Sequence, residues 1–204
     1  MKTRADYRII GRGMGGSCVM ETILAVAAGD GGGLAPTIEL VDDDALPDVD
    51  FVAVADNARR QKFLTTAHPL ALIVQHPSAS IAESAVLNAG VLVKAGAVVA
   101  EHTIVSRGAI VGEGAVVSHD CHLGACCHIQ PGAVLCGAVI VGERATVGPG
   151  CTVTGKVRIG ADAVIDSGLV IPMDVPCEAR VVRGVDGKAQ IRMSVRRQSH
   201  AEGK

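Results

Sequence analysis

The 204-residue chain is almost without aromatic side chains: it has no Trp, one Tyr and two Phe. A core without large rings must be thin, or built from many identical narrow layers. An excess of charge is missing too. With 19 Lys and Arg against 21 Asp and Glu, the net charge is −2, which gives no electrostatic reason to expect a nucleic-acid partner. No apolar run approaches the ~20 residues of a membrane-spanning helix. The opening residues MKTRADYRII contain no apolar core of a signal peptide. Seven scattered Cys without a secretion signal read as reduced thiols, so we expect a cytoplasmic protein. What the chain does have is 25 Gly and many small aliphatic residues.

Those aliphatics keep time. Every sixth residue from Ile81 to Ile171 is Ile, Leu or Val, and the residue two places earlier is small in nearly every unit, as at Ala97, Ala115, Cys121, Cys127, Ala145 and Cys151. In a strand, residues i and i−2 share one face. Each unit therefore reads as a short strand with one large and one small inward side chain, followed by a turn. Gly90, Gly96, Gly108, Gly114, Gly132, Gly150 and Gly168 fall in the turns, where unusual dihedrals are needed. A period of six predicts a parallel β-helix whose coils stack about 4.8 Å apart, and its small inward slots account for the missing rings.

The segment VVSHDCHLGACCHIQPG, residues 116–132, crowds three His and three Cys together. The phase separates them. Cys121 and Cys127 occupy inward slots, while His122 and His128, one residue later, point outward. A zinc site needs converging ligands, so this spacing does not make one within a chain. Cys126 is a conceivable acyl carrier, but nothing near it in sequence marks it as activated. His119 sits in a turn beside Asp120; on its own it reads as readily as a solvated corner residue as a functional one.

With its hexapeptide rhythm the chain resembles the hexapeptide-repeat acyltransferases. That resemblance implies a triangular, left-handed coil of three units per turn, with residues 81 to 171 making about five coils. The run H-D-C-x-L-G-x(3)-H-I-x-P-G-A, from His119 to Ala133, is similar to the signature of the sialic acid O-acetyltransferase and nucleotide-aminosugar N-acetyltransferase family. The resemblance implies that His119 is a general base oriented by Asp120. It also implies that His128 lies by the acetyl-CoA thioester and that the backbone amide of Gly137, eighteen residues after His119, lies near the acetyl carbonyl. Imidazole suits the role, since it ordinarily titrates near neutral pH and can take a proton as a nucleophile attacks. Carbonic anhydrases on the same helix share a metal between subunits through a His-x4-His pair; this chain has none, and no metal is expected.

Residues 1–76 have a different grammar. Strands are expected at Tyr7–Ile10, Thr37–Val41, Phe51–Ala55 and Ala71–Val74, with helices over 17–28 and 58–67, a βαβ order that predicts a small Rossmann-like parallel sheet. Ligands bind such sheets at the carboxyl ends of strands, where GRGMGG, Asp42-Asp43-Asp44 and Asp56-Asn57 fall. The resemblance implies that this domain holds the nucleotide of a nucleotide-linked amino sugar, with Gly11, Gly13, Asp42, Asp43, Asn57 and Arg60 as candidate contacts. Two departures stand out. The family loop commonly reads Gly-x-x-Gly-His-Gly, whereas Met14 and Gly15 stand here; and a closing Gly-x-Pro-Ala-Lys over the CoA adenosine is replaced by Gly184-Val185-Asp186-Gly187-Lys188.

The expected fold is therefore mainly β with an α/β N-terminal domain: a nucleotide-sugar-binding domain over 1–76, a left-handed β-helix over 77–176 and an extension over 177–204. The expected activity is acetyl transfer from acetyl-CoA to the amine of a nucleotide-linked amino sugar, catalysed by His119 and Asp120, with His128, Gly137 and Lys188 at the CoA. The resemblance implies a homotrimer, and the outward apolar residues Val98, Ile104, Ile110, Val116, Val134 and Ile140 suit buried flats. The alternatives are sialic acid O-acetylation, a non-catalytic trimeric scaffold and a metal-dependent hydratase.

Overall fold

The computed structural model describes residues 6–10, 37–41, 51–52, 56–66 and 72–193. Near the N-terminus β1 (Asp6–Ile10), β2 (Thr37–Val41) and β3 (Phe51–Val52) form a parallel sheet in the order β2-β1-β3. The carboxyl ends of the three strands are level, because Ile10 pairs with both Val41 and Val52. The glycine loop, the expected helix over 17–28 and the polar tail after residue 193 lie outside the described residues.

A helix follows, α1 (Asn57–Thr66). Asp56 caps it: Oδ1 accepts the Arg59 N–H at 2.7 Å and its carbonyl accepts the Arg60 N–H at 2.9 Å. Arg60, Phe63 and Leu64, spaced at i, i+3 and i+4, are its buried residues. No helix among the described residues is long and apolar enough to cross a membrane.

From Val74 onward the chain winds as a β-solenoid of two-residue strands, each starting six residues after the last. Every third strand falls on the same wall. Ile110 pairs with Leu92 on one side and His128 on the other, so one coil is eighteen residues. The first wall carries Val74–Gln75, Leu92–Val93, Ile110–Val111, His128–Ile129, Thr146–Val147 and Val164–Ile165; the second runs from Ser80–Ile81 to Val170–Ile171; the third from Val86–Leu87 to Arg158–Ile159. The inward anchors Val117, Leu123, Ile129 and Leu135 and the small slots Ala97, Ala115, Cys121 and Cys127 are all buried in one continuous core. Slots filled almost throughout by Ala, Cys, Val or Thr leave no room for a ring. Thr103, a polar residue in such a slot, is satisfied by donating to the Ser118 carbonyl at 2.9 Å.

One expectation needs correction. Ala71–Val74 is not a fourth strand of the N-terminal sheet: Val74–Gln75 pairs with Leu92–Val93 and opens the first wall. The six-beat reading misses this coil because Gln75, on the anchor beat, is exposed, while Val74 is buried in its stead. That coil brings the solenoid to about six turns, of which residues 81 to 171 make about five. At the other end Ala179–Arg183 pairs with Val164–Ile165 and folds back on Ala189–Met193, so the extension prolongs the first wall as a hairpin.

The three edges of the prism differ. From Gly90 to Gly168 each corner contains one residue in the left-handed region. On the first edge, between the first and second walls, it is Gly96, Gly114, Gly132, Gly150 and Gly168. A Cβ at Gly114, Gly132 or Gly150 would meet nothing within 4 Å, so conformation alone favours glycine there. The second edge, between the second and third walls, uses His102, Asp120, Ala138 and Lys156 at φ 56–66°, and no glycine. The third edge mixes Gly90 and Gly108 with Cys126, Arg144 and Asp162.

Candidate active site

His119 and Asp120 lie on the second edge. Nδ1 of His119 is 2.8 Å from Oδ2 of Asp120, and the two side chains are 59 % and 56 % exposed. The hydrogen bond from His119 holds the Asp120 carboxyl below the usual carboxylate range. An ionised carboxylate only accepts, so Nδ1 carries the proton and Nε2 keeps its lone pair. The ring lies over Gly137, where a Cβ would come within 2.6 Å of both Cε1 and Nε2. Gly155 repeats the glycine one coil further on, so bare backbone extends beyond the imidazole along the edge. No acceptor takes the Gly137 N–H among the described residues.

His128 is elsewhere. Nine residues, half of an eighteen-residue coil, separate it from His119, which puts it on the first wall, opposite the second edge. Burial, with Arg60 and Lys94 adding to it, pushes its imidazole down to about 4, so it is neutral at physiological pH. His122 is exposed on the third wall, while Cys121 and Cys127 are wholly buried inside the prism. Thiols and imidazoles thus face opposite sides, as the phase implies. Among the described residues no three His, Cys, Asp or Glu side chains converge as a metal site would need. Cys126 is buried and its thiol is pushed up by that burial, which makes it a poor nucleophile.

Asn57 and Arg60 both turn towards the solenoid. Arg60 is 1 % exposed. Its Nε donates to the Gly108 carbonyl at 2.7 Å, and its Nη2 donates to the carbonyls of Cys126 at 2.7 Å and Cys127 at 3.3 Å and to Asn57 Oδ1 at 2.9 Å. The Asn57 amide donates to the Arg144 carbonyl at 2.8 Å and to Thr146 Oγ1 at 3.0 Å. These groups fasten α1 to the third edge by satisfying backbone carbonyls that α1 covers. Gly108 matters to the same contact, because a Cβ there would strike Leu64 and Cys126. Lys188 is exposed in the turn of the hairpin on the first wall, its N–H donating to Asp186 Oδ1 at 3.1 Å. Gly11, Gly13, Asp42 and Asp43 lie outside the described residues. One residue at the edge escapes motif reading: His102, whose Nδ1 is 3.7 Å from Oδ1 of Asp120. Subtracting one coil from Asp120 finds it.

No protein-family model matches the chain, and no curated protein matches it. Solved structures do. It is 36 % identical to PerB from Caulobacter crescentus, solved in complex with CoA and GDP-perosamine, over 93 % of this chain and 98 % of that one, with a TM-score of 0.80. The chain belongs to the hexapeptide-repeat nucleotide-aminosugar N-acetyltransferases. A mutant of the GDP-perosamine N-acetyltransferase from the same organism, with one histidine replaced by alanine, matches at 32 % identity over 94 % and 99 % of the two chains, TM-score 0.81. The acetyltransferase domain of PglB from Neisseria gonorrhoeae FA1090, in complex with acetyl coenzyme A, matches at 30 % identity over 92 % and 99 %, TM-score 0.78. The cosubstrate of this N-acetyltransferase family is acetyl-CoA.

For such an N-acetyltransferase the bare backbone at Gly137 has a direct consequence. Gly137→Ala forces the His119 ring to move, and in the catalytic role proposed below for His119 a displacement of ~1 Å costs about 10²-fold in rate. Gly137 is not among the left-handed residues, so alanine meets no backbone penalty there. The expected result is a kcat lowered by about 10²-fold with a little-changed thermal midpoint, read by steady-state rates alongside calorimetry.

Proposed function

We propose that the protein transfers acetyl from acetyl-CoA to the amine of a nucleotide-linked amino sugar, with His119 as general base. The observation that carries this reading is the 2.8 Å contact between His119 and Asp120, with Nε2 free above the Gly137 backbone. The amine lone pair attacks the thioester carbonyl while Nε2 of His119 takes the proton. Asp120 holds the tautomer and stabilises the imidazolium. The Gly137 N–H is available to the oxygen of the tetrahedral intermediate. Collapse breaks the C–S bond, and the imidazolium returns the proton to the departing CoA sulfur.

We read the protein as a homotrimer, as the family resemblance implies, and the placement of its two histidines supports a site shared between copies. His119 and His128 stand on opposite sides of one coil, so a single chain cannot present both to one thioester. A neighbour whose first wall faces this second edge would bring His128 there. Its neutral imidazole then adds no charge beside the base. CoA would lie along the first wall, from His128 to the hairpin that carries Lys188. Three strand steps from His128 through Thr146 and Val164 to Arg180 amount to roughly 14 Å at about 4.8 Å each. The left-handed sense of the coil and a Rossmann-like N-terminal domain, built around β2-β1-β3 and holding the nucleotide, complete the reading. In it Asn57 and Arg60 fix that domain to the solenoid and do not touch the nucleotide.

The test is a screen of acetyl-CoA consumption against GDP-, UDP- and dTDP-linked amino sugars, GDP-perosamine included. One nucleotide class is expected to be strongly preferred, with an N-acetylated product by mass spectrometry. Turnover of a free nine-carbon sugar alone, or release of thiol independent of any acceptor, would reject it.

A further inference from the structure

Asp120 has two carboxylate oxygens and two imidazoles beside it. Oδ2 is 2.8 Å from His119 Nδ1, and Oδ1 is 3.7 Å from His102 Nδ1. His102 stands one coil before Asp120 at the same place on the second edge, and both are left-handed, φ 56° and 59°. A histidine in that conformation carries a cost that glycine avoids along the first edge. Its backbone is held from the other side, its N–H donating to Ser84 Oγ at 3.2 Å. Its side chain is 72 % exposed, so it is not kept there for packing. A strained, exposed imidazole aimed at the partner of a catalytic base has a use in that partnership.

We infer that His102 is a positioning residue for the base: it engages the outer oxygen of Asp120 and, through that carboxylate, sets how readily His119 takes a proton. The inference rests on the proposed role of His119. At 3.7 Å the pair is ionic when His102 is protonated and a looser polar contact when it is neutral. A cation at His102 draws on the carboxylate that would stabilise the His119 imidazolium, and it repels that imidazolium. Both effects keep His119 in its basic form to lower pH. The other charged or titratable groups around His102 are Glu101 in its own turn and Glu83 one coil back, which favour its cation. One coil on, Asp120 also favours it, whereas His119 and, on the third wall, His122 oppose it when charged.

The test compares the unsubstituted protein with His102→Asn and His102→Lys, which remove the charge and make it permanent. Side-chain NMR titration of the free protein reads His119, assigned by the resonance that disappears in His119→Ala. The midpoint of His119 is expected to rise in His102→Asn and to fall in His102→Lys, each by about 0.3 pH units, the scale of a screened surface charge. The acid limb of kcat/KM against pH moves the same way, with KM for acetyl-CoA unchanged. A merely structural role would lower kcat in both variants and leave the midpoint in place. Shifts of the same sign in both, or none in either, overturn the inference. Because the NMR reading needs no substrate, it stands apart from the base assignment, which fails separately if His119→Ala retains full turnover.

Discussion

Replacing His119 with alanine is expected to lower kcat by about 10²–10⁴-fold, the range for losing a positioned general base, while CoA affinity stays within about twofold. The selectivity follows from position. The imidazole lies on the second edge with Nε2 free, whereas His128 and Lys188, the side chains proposed for CoA, lie on the first wall. His119→Asn is the sharper variant: its amide retains a donor for Asp120 but has no lone pair to take the amine proton. Thiol-release rates and calorimetric CoA titrations read the two quantities separately. Equal turnover in the variants and the unsubstituted protein would remove His119 from its role.

Arg60→Met is expected to detach α1 from the solenoid at a cost of about 3–6 kcal/mol, because two short hydrogen bonds from its buried charge are lost together. Methionine fills much of the space but leaves the carbonyls of Gly108 and Cys126, both 2.7 Å acceptors of the guanidinium, without their donors. Each such lost charged bond is worth about 1.5–3 kcal/mol. Burial pulls the Arg60 guanidinium down from its ordinary value, yet arginine stays charged where a lysine would not, so Arg60→Lys should not rescue. The solenoid itself pairs coil to coil and does not depend on α1. The expected signature is an early urea transition and fast amide exchange confined to α1, ahead of an unchanged main transition. Superimposable unfolding curves would show that the docking is worth little.

The same two sites mark what was legible in the residues and what was not. The inward and outward faces of Cys121, His122, Cys127 and His128 follow from a local period, because a strand alternates and the coil repeats. Nothing about them needs contacts distant in sequence. The turn glycines are legible for the same reason, and Gly137 is found by adding one coil to His119. Arg60 is not, since its partners lie 48 and 66 residues away and an arginine on a polar ten-residue helix reads as a surface residue or a ligand contact. Asn57 fails similarly, its amide being spent on the carbonyl of Arg144. The first coil is hidden because burial there passes from Gln75 to Val74, one residue out of step. His102 belongs to no motif and becomes visible only once eighteen residues are known to return the chain to the same corner.

The second edge, whose left-handed positions carry side chains, has an implication for how such a protein changes its chemistry. Successive corners place their side chains at one rung after another, about 4.8 Å apart, all on a common line and all on a backbone that does not shift when a letter changes. Reach along that line is therefore quantised. A group needed one step nearer the donor or one step farther from it arises from a single substitution eighteen positions away, with no loop to redesign. The edge behaves as a ruler with interchangeable marks, on which new acceptors are accommodated by re-lettering while the ruler itself stays the same.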